Sequence, residues 1–126
     1  IDAGADFVIT QLYYDNNDYY DFVNRTRQAG INVPIIPGIM PITNLAQIAR
    51  TTSQCGASIP DELMKVLQSC GSDNNTCEAG LDYSVRQCLE LKSWGVPGLH
   101  IYPMNKSMAV TSIMKELGLD PADTSR

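Results

Sequence analysis

Short apolar runs alternate along the chain with longer segments of helical periodicity. The runs 7–10, 33–36 and 98–102 have the length and composition of buried strands. Between and after them, apolar residues recur every three or four positions, which is typical of helices that bury one face. The pattern therefore predicts short strands separated by helices.

Capping residues indicate where the helices begin and end. Residues 15–18 and Thr43-Asn44 can cap helix amino termini, and Pro60 suits a first turn. Gly30 and Gly118 suit helix ends. The predicted inward-facing residues of the five helical segments are Tyr19, Phe22, Val23 and Thr26; Leu45, Ile48, Ala49 and Thr52; Leu63, Met64 and Leu67; Cys77, Leu81, Val85, Cys88 and Leu89; and Ala109, Ile113 and Leu117.

Strands that alternate with helices imply parallel pairing through right-handed crossovers, and hence an α/β fold. Three parallel strands form a small sheet with two open edges. Such a unit is expected either as part of an eight-unit barrel or as half of a doubly wound sheet, and periodicity does not choose between them. The 126 residues fit a single domain.

Charge and hydropathy exclude several classes of partner. The net charge is −5 and the Lys and Arg residues are scattered, so we expect no nucleic-acid partner. No apolar run approaches the roughly 20 residues of a membrane span. Residues 1–10 lack the pattern of a signal peptide, so nothing points to secretion. These features suit a protein whose ligands are small molecules.

The chain has four cysteines, Cys55, Cys70, Cys77 and Cys88, which could in principle form two disulfides or a metal site. No two of them form a C-x-x-C pair, and the chain has one histidine. Zinc sites of the usual kind need closer pairs, so no metal site is predicted. We expect buried or half-buried free thiols in a reducing compartment.

Ligands of parallel α/β folds bind at the carboxyl ends of strands, which selects residues 11–15, 37–41 and 102–106. The amide of Gln11 suits the edge of a heterocycle, although position alone favours bonding to loop backbone. Gly38 would allow close approach of a ligand. Gln47 lies near the second loop, where most polar residues face water.

Other residues in these loops have competing structural roles. Asp15 is better placed to cap a helix than to serve a site, and Tyr13 and Tyr14 suit packing. His100 suits a hydrogen-bonded core position better than acid–base catalysis. Asn105 and Lys106 offer an amide and a cation to an acidic ligand, but solvated loop residues look the same.

The chain contains no P-loop, G-x-G-x-x-G, G-x-S-x-G or H-E-x-x-H motif. Two stretches, 2–11 (DAGADFVITQ) and 30–42 (GINVPIIPGIMPI), closely resemble methylenetetrahydrofolate reductases. Ile59-Pro60, Gly80 and the stretch 98–105 follow in the same order, so the resemblance covers essentially the whole chain.

The resemblance implies a (β/α)₈ barrel, of which this chain supplies strands six to eight. Residues 1–126 would be the C-terminal part of that single barrel domain. Members hold FAD, take a hydride from NADH or NADPH, and reduce 5,10-methylenetetrahydrofolate to 5-methyltetrahydrofolate in one-carbon and methionine metabolism. The resemblance also implies a cytoplasmic enzyme that is a homo-oligomer at full length.

Carried over residue by residue, the resemblance assigns folate binding to Gln11, Gln47 and Lys106. Gln11 matches a glutamine that bonds the pterin, and Gln47 a second folate-contacting glutamine. Lys106 stands where many members have arginine, and it keeps the charge but lacks the planar fork. The catalytic glutamate and most FAD-binding residues of the family precede this chain, so no catalytic residue is expected in it.

The leading hypothesis is therefore a piece of a larger reductase, in keeping with a first residue, Ile1, that is not methionine. Alone, the piece is expected to be poorly stable, to bind no flavin and to be inactive. The alternative is a short non-catalytic protein that uses the half-barrel as a binding or assembly module, with a partner or a second copy covering its strand edges. An unrelated parallel barrel is disfavoured by the ordered motifs.

Overall fold

Three strands and five helices account for the regular structure in a computed structural model, which describes residues 1–70, 77–104 and 107–119. In chain order the elements are β1 (Val8–Leu12), α1 (Asn16–Gln28), β2 (Ile35–Ile39), α2 (Leu45–Cys55), α3 (Asp61–Ser69), α4 (Glu78–Trp94), β3 (His100–Ile101) and α5 (Ser107–Glu116).

The strands form one parallel sheet in the order β1-β2-β3. Ile9 lies opposite Ile36, and Gly38 lies opposite His100. The predicted α/β class and parallel pairing are thus confirmed. A small parallel sheet with helices between its strands is consistent with part of a (β/α)₈ barrel.

The second strand extends through Pro37, which was expected to bound it. Proline has no N–H to donate to a neighbouring strand, so pairing must adjust around it. The register between β1 and β2 shifts between Ile9 and Leu12. Within this irregular stretch the Thr10 hydroxyl accepts a hydrogen bond from the Gly38 N–H at 2.9 Å. A side chain therefore supplies part of the pairing that the backbone ladder omits.

The third strand is shorter than the predicted run 98–102, because only His100–Ile101 pairs as strand. One further bond, from the Tyr102 N–H to the Ile39 carbonyl at 2.8 Å, extends the contact with β2. Gly98 and Leu99 lead into the strand without joining it.

Two apolar clusters hold the elements together. The first packs α1, α4 and α5 against one face of the sheet, and the second joins the carboxyl ends of β1 and β2 to α2 and α3. The first contains Tyr13, Tyr19, Val23, Ile35, Ile39, Cys88, Leu91, Ile113 and Leu117; the second contains Leu12, Tyr14, Met40, Ile42, Ile48, Leu63 and Leu67.

The inward stripe predicted for α5 is confirmed, since Ala109, Ile113 and Leu117 are all buried. Five other residues that were predicted to face inward are exposed instead, so these predictions were wrong. They are Ala49 and Phe22, Leu45, Met64 and Leu89, whose exposed fractions are 42%, 43%, 42% and 41%.

The physical reason is clearest in α2 and α4. Polar and small side chains occupy their inner faces because they bond to or contact nearby loops, so an apolar pattern misplaces the buried face. The buried residues of these two helices are Gln47, Ile48 and Thr51 in α2, and Gly80, Ser84, Gln87, Cys88 and Leu91 in α4.

The expectation of four free thiols was wrong for two of them. Cys70 and Cys77 form a disulfide, with their Cα atoms 5.6 Å apart, within the usual range for such bonds. Cys70 follows α3 and Cys77 caps α4, and these two helices pack together, so residues seven positions apart meet. Cys55 and Cys88 are free, as predicted.

Candidate functional site

Gln11 lies near the carboxyl end of β1, with its side chain exposed. Its Oε1 accepts a hydrogen bond from the Leu12 N–H at 3.0 Å. This is the backbone role favoured by its position. That bond uses only the oxygen. The amide nitrogen has no partner in the described part of the chain, so it can donate to a ligand.

Gln47 lies in the first turn of α2, directly after the loop that follows β2. It is only 9% exposed, so it does not face water as most polar residues there would. Its Oε1 accepts from both the backbone N–H and the hydroxyl of Thr43, at 3.1 and 2.6 Å. Asn44 caps the helix by accepting from the Gln47 N–H at 2.8 Å, as the sequence predicted.

The structure thus brings two of the three predicted folate-binding residues to one edge of the sheet, since β1 and β2 are parallel neighbours. The third, Lys106, lies outside the described residues, and so does Asn105. Asp15 caps α1 through a 2.9 Å bond from the Asn17 N–H to its carboxylate, which confirms its predicted structural role.

The glycine of the second loop serves packing within the protein. A Cβ atom on Gly38 would lie 2.5 Å from the Thr10 carbonyl oxygen and 2.8 Å from the Tyr102 ring. The Tyr102 hydroxyl also donates to the Thr10 carbonyl at 3.1 Å, so the ring lies across β2 and ties β3 to β1. Gly38 therefore permits the close approach of the Thr10 carbonyl and the Tyr102 ring, while its expected approach to a ligand stays a prediction.

His100 is half-buried and packs edge-on against Tyr102, with ring centroids 4.6 Å apart. It pairs with Gly38, whereas the adjacent Ile101 joins the first apolar cluster. The alternation of a strand therefore places His100 on the sheet face opposite that cluster. Its side chain makes no hydrogen bond to any described residue, so the hydrogen bond expected of a core histidine stays a prediction.

Helix α4 holds the loop after β1 with polar side chains. The Tyr83 hydroxyl donates to the Tyr14 carbonyl at 2.7 Å, and the Gln87 amide donates to the Tyr13 carbonyl at 3.1 Å. Asn16 donates in turn to the Gln87 carbonyl at 3.2 Å. These bonds fix the backbone just beyond Gln11.

The same helix holds the loop after β2. The Ser84 hydroxyl accepts from the Ile42 N–H at 2.9 Å, and the Cys77 N–H donates to the Thr43 carbonyl at 2.8 Å. Sequence reasoning missed the role of Ser84 and Gln87. The available signal was their spacing, since positions 80, 84, 87, 88 and 91 share one helix face.

Tyr13 and Tyr14 are buried, as their predicted packing role requires. Burial raises the pKa of both phenols well above the usual value, so both remain protonated at neutral pH. Neither can serve as a general base there.

The described strand ends carry neither a cluster of cations nor a set of metal ligands. Residues 11–16, 40–44 and 102–104 include no Lys or Arg, so the described strand ends do not fit the diphosphate of a dinucleotide. Within residues 1–70, 77–104 and 107–119, no group of three or more His, Cys, Asp or Glu side chains could hold a metal ion. Over those same ranges, no helix is both long and apolar enough to cross a bilayer.

A polar cavity of about 300 Å³ lies between the start of α1, the start of α3 and the outer side of α4. Asp15, Glu62, Arg86 and Glu90 are its charged lining residues, and neither Gln11 nor Gln47 reaches it. Arg86 is already paired with Glu62 at 2.9 Å. The remaining carboxylates would repel an acidic ligand, so this cavity does not compete with the strand ends as a site for one.

Comparison with known proteins identifies the chain at the level of the family. The family model of methylenetetrahydrofolate reductase matches residues 1–118. Methylenetetrahydrofolate reductase (NADH) 1 of Arabidopsis thaliana is 38% identical over 128 residues, covering 100% of this chain and 22% of the relative. Methylenetetrahydrofolate reductase 1 of Schizosaccharomyces pombe is 39% identical, covering 94% of this chain and 20% of the relative.

A probable methylenetetrahydrofolate reductase (NADPH) of Caenorhabditis elegans is 37% identical, covering 94% of this chain and 18% of the relative. The chain thus spans about a fifth of the length of these relatives. The family match extends over most of the chain, and relatives from a plant, a yeast and a nematode agree with it. The resemblance seen in the sequence is therefore confirmed, and the chain belongs to the methylenetetrahydrofolate reductase family.

Proposed function

We propose that this chain forms the folate-binding side of a flavin-dependent methylenetetrahydrofolate reductase barrel. The whole protein would use NADH or NADPH to reduce 5,10-methylenetetrahydrofolate to 5-methyltetrahydrofolate. The observation that carries the proposal is that Gln11 lies at the carboxyl end of β1 and Gln47 follows the carboxyl end of its parallel neighbour β2, in a chain that belongs to this family. Strands β1, β2 and β3 would be the sixth, seventh and eighth of the barrel.

In this proposal Gln11 bonds the pterin and Gln47 makes a second contact with the folate. Lys106 would attract the acidic end of the ligand as a point charge. All three residues bind and orient the substrate, and none of them transfers the hydride. The catalytic glutamate would be supplied by a part of the protein that precedes these strands.

The flavin also belongs to that other part. The described strand ends lack the cations that a diphosphate needs, so this segment does not fit FAD by itself and no step through the flavin is assigned to its residues. The names of the relatives include both NADH and NADPH at nearly equal identity, 38% and 37%. This segment therefore does not distinguish the two nicotinamide donors.

The uncovered face of the sheet supports a place within a larger barrel. Ile9 alternates with Val8, which packs against the first cluster, so Ile9 lies on the opposite face, where it is 39% exposed. Phe7, directly before β1, is 52% exposed. In a complete barrel, inward-facing side chains are covered by those of the other strands. We infer that residues of the preceding strands cover these two. The cytoplasmic location and the homo-oligomer that the family suggests remain predictions.

The test uses the full-length protein that contains this sequence, with each glutamine changed separately. Gln11→Ala and Gln47→Ala should each raise the KM for methylenetetrahydrofolate about 5- to 20-fold, because each removes a hydrogen bond to the ligand. Flavin content and the rate of flavin reduction by NAD(P)H should stay unchanged.

The matched controls are Gln28→Ala and Gln54→Ala, which alter exposed glutamines in α1 and α2 away from the strand ends. They should leave the KM unchanged. Equal effects of site and control variants, or loss of flavin in the site variants, would contradict the assigned roles. Residues 1–126 expressed alone should show neither bound flavin nor reductase activity. Either property would contradict the proposal that the flavin site and the catalytic glutamate belong to another part of the protein.

A further inference from the structure

The side-chain amide of Gln47 is held in one orientation. Its Oε1 faces the Thr43 N–H at 3.1 Å. A backbone N–H can only donate, so the amide atom that meets it must be the oxygen and not the nitrogen. The Thr43 hydroxyl donates to the same oxygen at 2.6 Å. Both acceptor positions of this oxygen are therefore occupied within the protein.

The amide nitrogen of Gln47 is left with both of its hydrogens. In the described ranges no acceptor binds it. The buried side-chain atoms there that lack a partner are the Tyr13 and Tyr14 hydroxyls and the Asn16 Oδ1. Gln47 Nε2 is not among them, and the residue as a whole is 9% exposed. A ligand at this site would thus meet a donor, the NH₂ group.

Thr43 is itself rigidly mounted. It is 2% exposed, and its carbonyl accepts from the N–H of Cys77, the capping residue of α4, at 2.8 Å. The preceding residue, Ile42, is fully buried and donates to the Ser84 hydroxyl at 2.9 Å. The loop that orients Gln47 is therefore held at two points. Its Ile42 N–H is bonded to Ser84 of α4, and its Thr43 carbonyl is bonded to the residue that caps α4.

We propose that Thr43 is a positioning residue that fixes the Gln47 amide so that Gln47 acts toward the folate as a hydrogen-bond donor. This inference rests on the proposed function. The proposal predicts that the ligand atom facing Gln47 is a hydrogen-bond acceptor, such as a carbonyl oxygen, a ring nitrogen or a carboxylate oxygen. Thr43 touches no ligand atom in this arrangement and acts only through Gln47.

The first test measures binding of 5-methyltetrahydrofolate to the full-length protein by titration calorimetry. Thr43→Val keeps the branched shape and the backbone N–H but removes the hydroxyl. It should raise the Kd about fivefold, the factor that corresponds to one neutral hydrogen bond. Thr43→Ser, which keeps the hydroxyl, should bind within about twofold of the unchanged protein.

The control is Thr52→Val, in the same helix as Gln47. Among the described residues, the Thr52 hydroxyl donates to the Ile48 and Ala49 carbonyls of its own helix and to no other group, so the Kd should not change. In a Gln47→Ala background, Thr43→Val should have no further effect on the Kd, because a positioning residue has nothing left to position. An undiminished fivefold effect in that background would overturn the proposal and assign Thr43 a separate role.

The donor assignment is tested by Gln47→Glu, which nearly preserves shape. The carboxylate can accept both Thr43 bonds but offers no hydrogen to the ligand. The Kd should rise at least tenfold, and a Kd equal to that of the unchanged protein would overturn the donor role. If Gln47→Ala leaves the Kd unchanged in a protein that reduces methylenetetrahydrofolate, the inference fails and the proposed reductase function stands. If the unchanged protein neither binds nor reduces the folate, both fail.

Discussion

Replacing Gly80 with alanine tests whether α4 is fitted to the loop after β2 as closely as the structure shows. Gly80 lies in the first turn of α4. A Cβ atom at this position would lie 2.6 Å from Cγ2 of Ile42 and 3.0 Å from its carbonyl oxygen. Ile42 is fully buried and its N–H is bonded to Ser84, so neither neighbour can move freely.

Two opposing terms set the magnitude. Alanine favours a helix over glycine by about 1 kcal/mol. Insertion of a carbon into a packed interior costs about 1–3 kcal/mol. The 2.6 Å approach is far inside van der Waals contact, and one of the two neighbours is backbone, so we take about 2 kcal/mol for the packing term. The net loss is then about 1 kcal/mol.

Native-state hydrogen exchange of the α4 amides in the full-length protein measures this local stability directly. Gly80→Ala should speed exchange about fivefold, the factor equivalent to about 1 kcal/mol. Gly98→Ala is the control, because a Cβ there meets no atom within 4 Å, and it should leave exchange in α4 unchanged. Slower exchange in Gly80→Ala would show that helix propensity outweighs packing, and would refute the tight fit between α4 and Ile42.

Two further predictions concern the cysteines. The Cys70–Cys77 disulfide closes a short loop of sequence separation 7, and the chain-entropy relation gives it about 2.5 kcal/mol of stability. Dithiothreitol should therefore lower the thermal midpoint of the full-length protein, whereas a Cys70→Ser variant should show no such response. An equal drop in both proteins would show that dithiothreitol acts on a bond other than the Cys70–Cys77 disulfide. Burial raises the pKa of the Cys88 thiol from 9.0 to about 12. Since the unfolded thiol loses its proton first, the contribution of Cys88 to stability is complete below about pH 9 and is lost as the pH rises toward 12. Cys88→Ala should remove that part of the alkaline slope in pH-dependent unfolding, and an unchanged slope would contradict the assignment.

The α/β class could be predicted from the sequence because capping residues and apolar periodicity both indicate most of the same helices and strands. Capping by Asp15 and Asn44 follows from side chains that bond to the first turn, a local interaction that a sequence displays directly. The parallel sheet follows from strands separated by helices. The extension of β2 through Pro37 could not be anticipated in this way, since it depends on the Thr10 hydroxyl of another strand.

The buried faces of α2 and α4 were misjudged for a related reason. An apolar pattern locates the side of a helix that meets other apolar groups, but these two helices meet loop backbone. Gln47, Ser84 and Gln87 are buried because each bonds to a loop group that has lost its water. The partners of Ser84 and Gln87 lie 42 and 74 positions away in sequence, whereas Thr43 is only four positions from Gln47. Resemblance to a family pointed to Gln47, but nothing in the sequence indicated what holds it.

The attachment of two loops to one helix bears on how the site keeps its geometry. The register between β1 and β2 shifts between Ile9 and Leu12, so the two loops do not follow a regular ladder of paired residues. Helix α4 bonds to the loop after β1 through Gln87 and to the loop after β2 through Ser84, one helical turn apart on the same face. A helix is stiff over one turn, so the spacing between the loops follows the spacing of these two side chains. The placement of Gln11 and Gln47, the two proposed folate contacts, therefore also rests on helix α4, to which no folate contact is assigned.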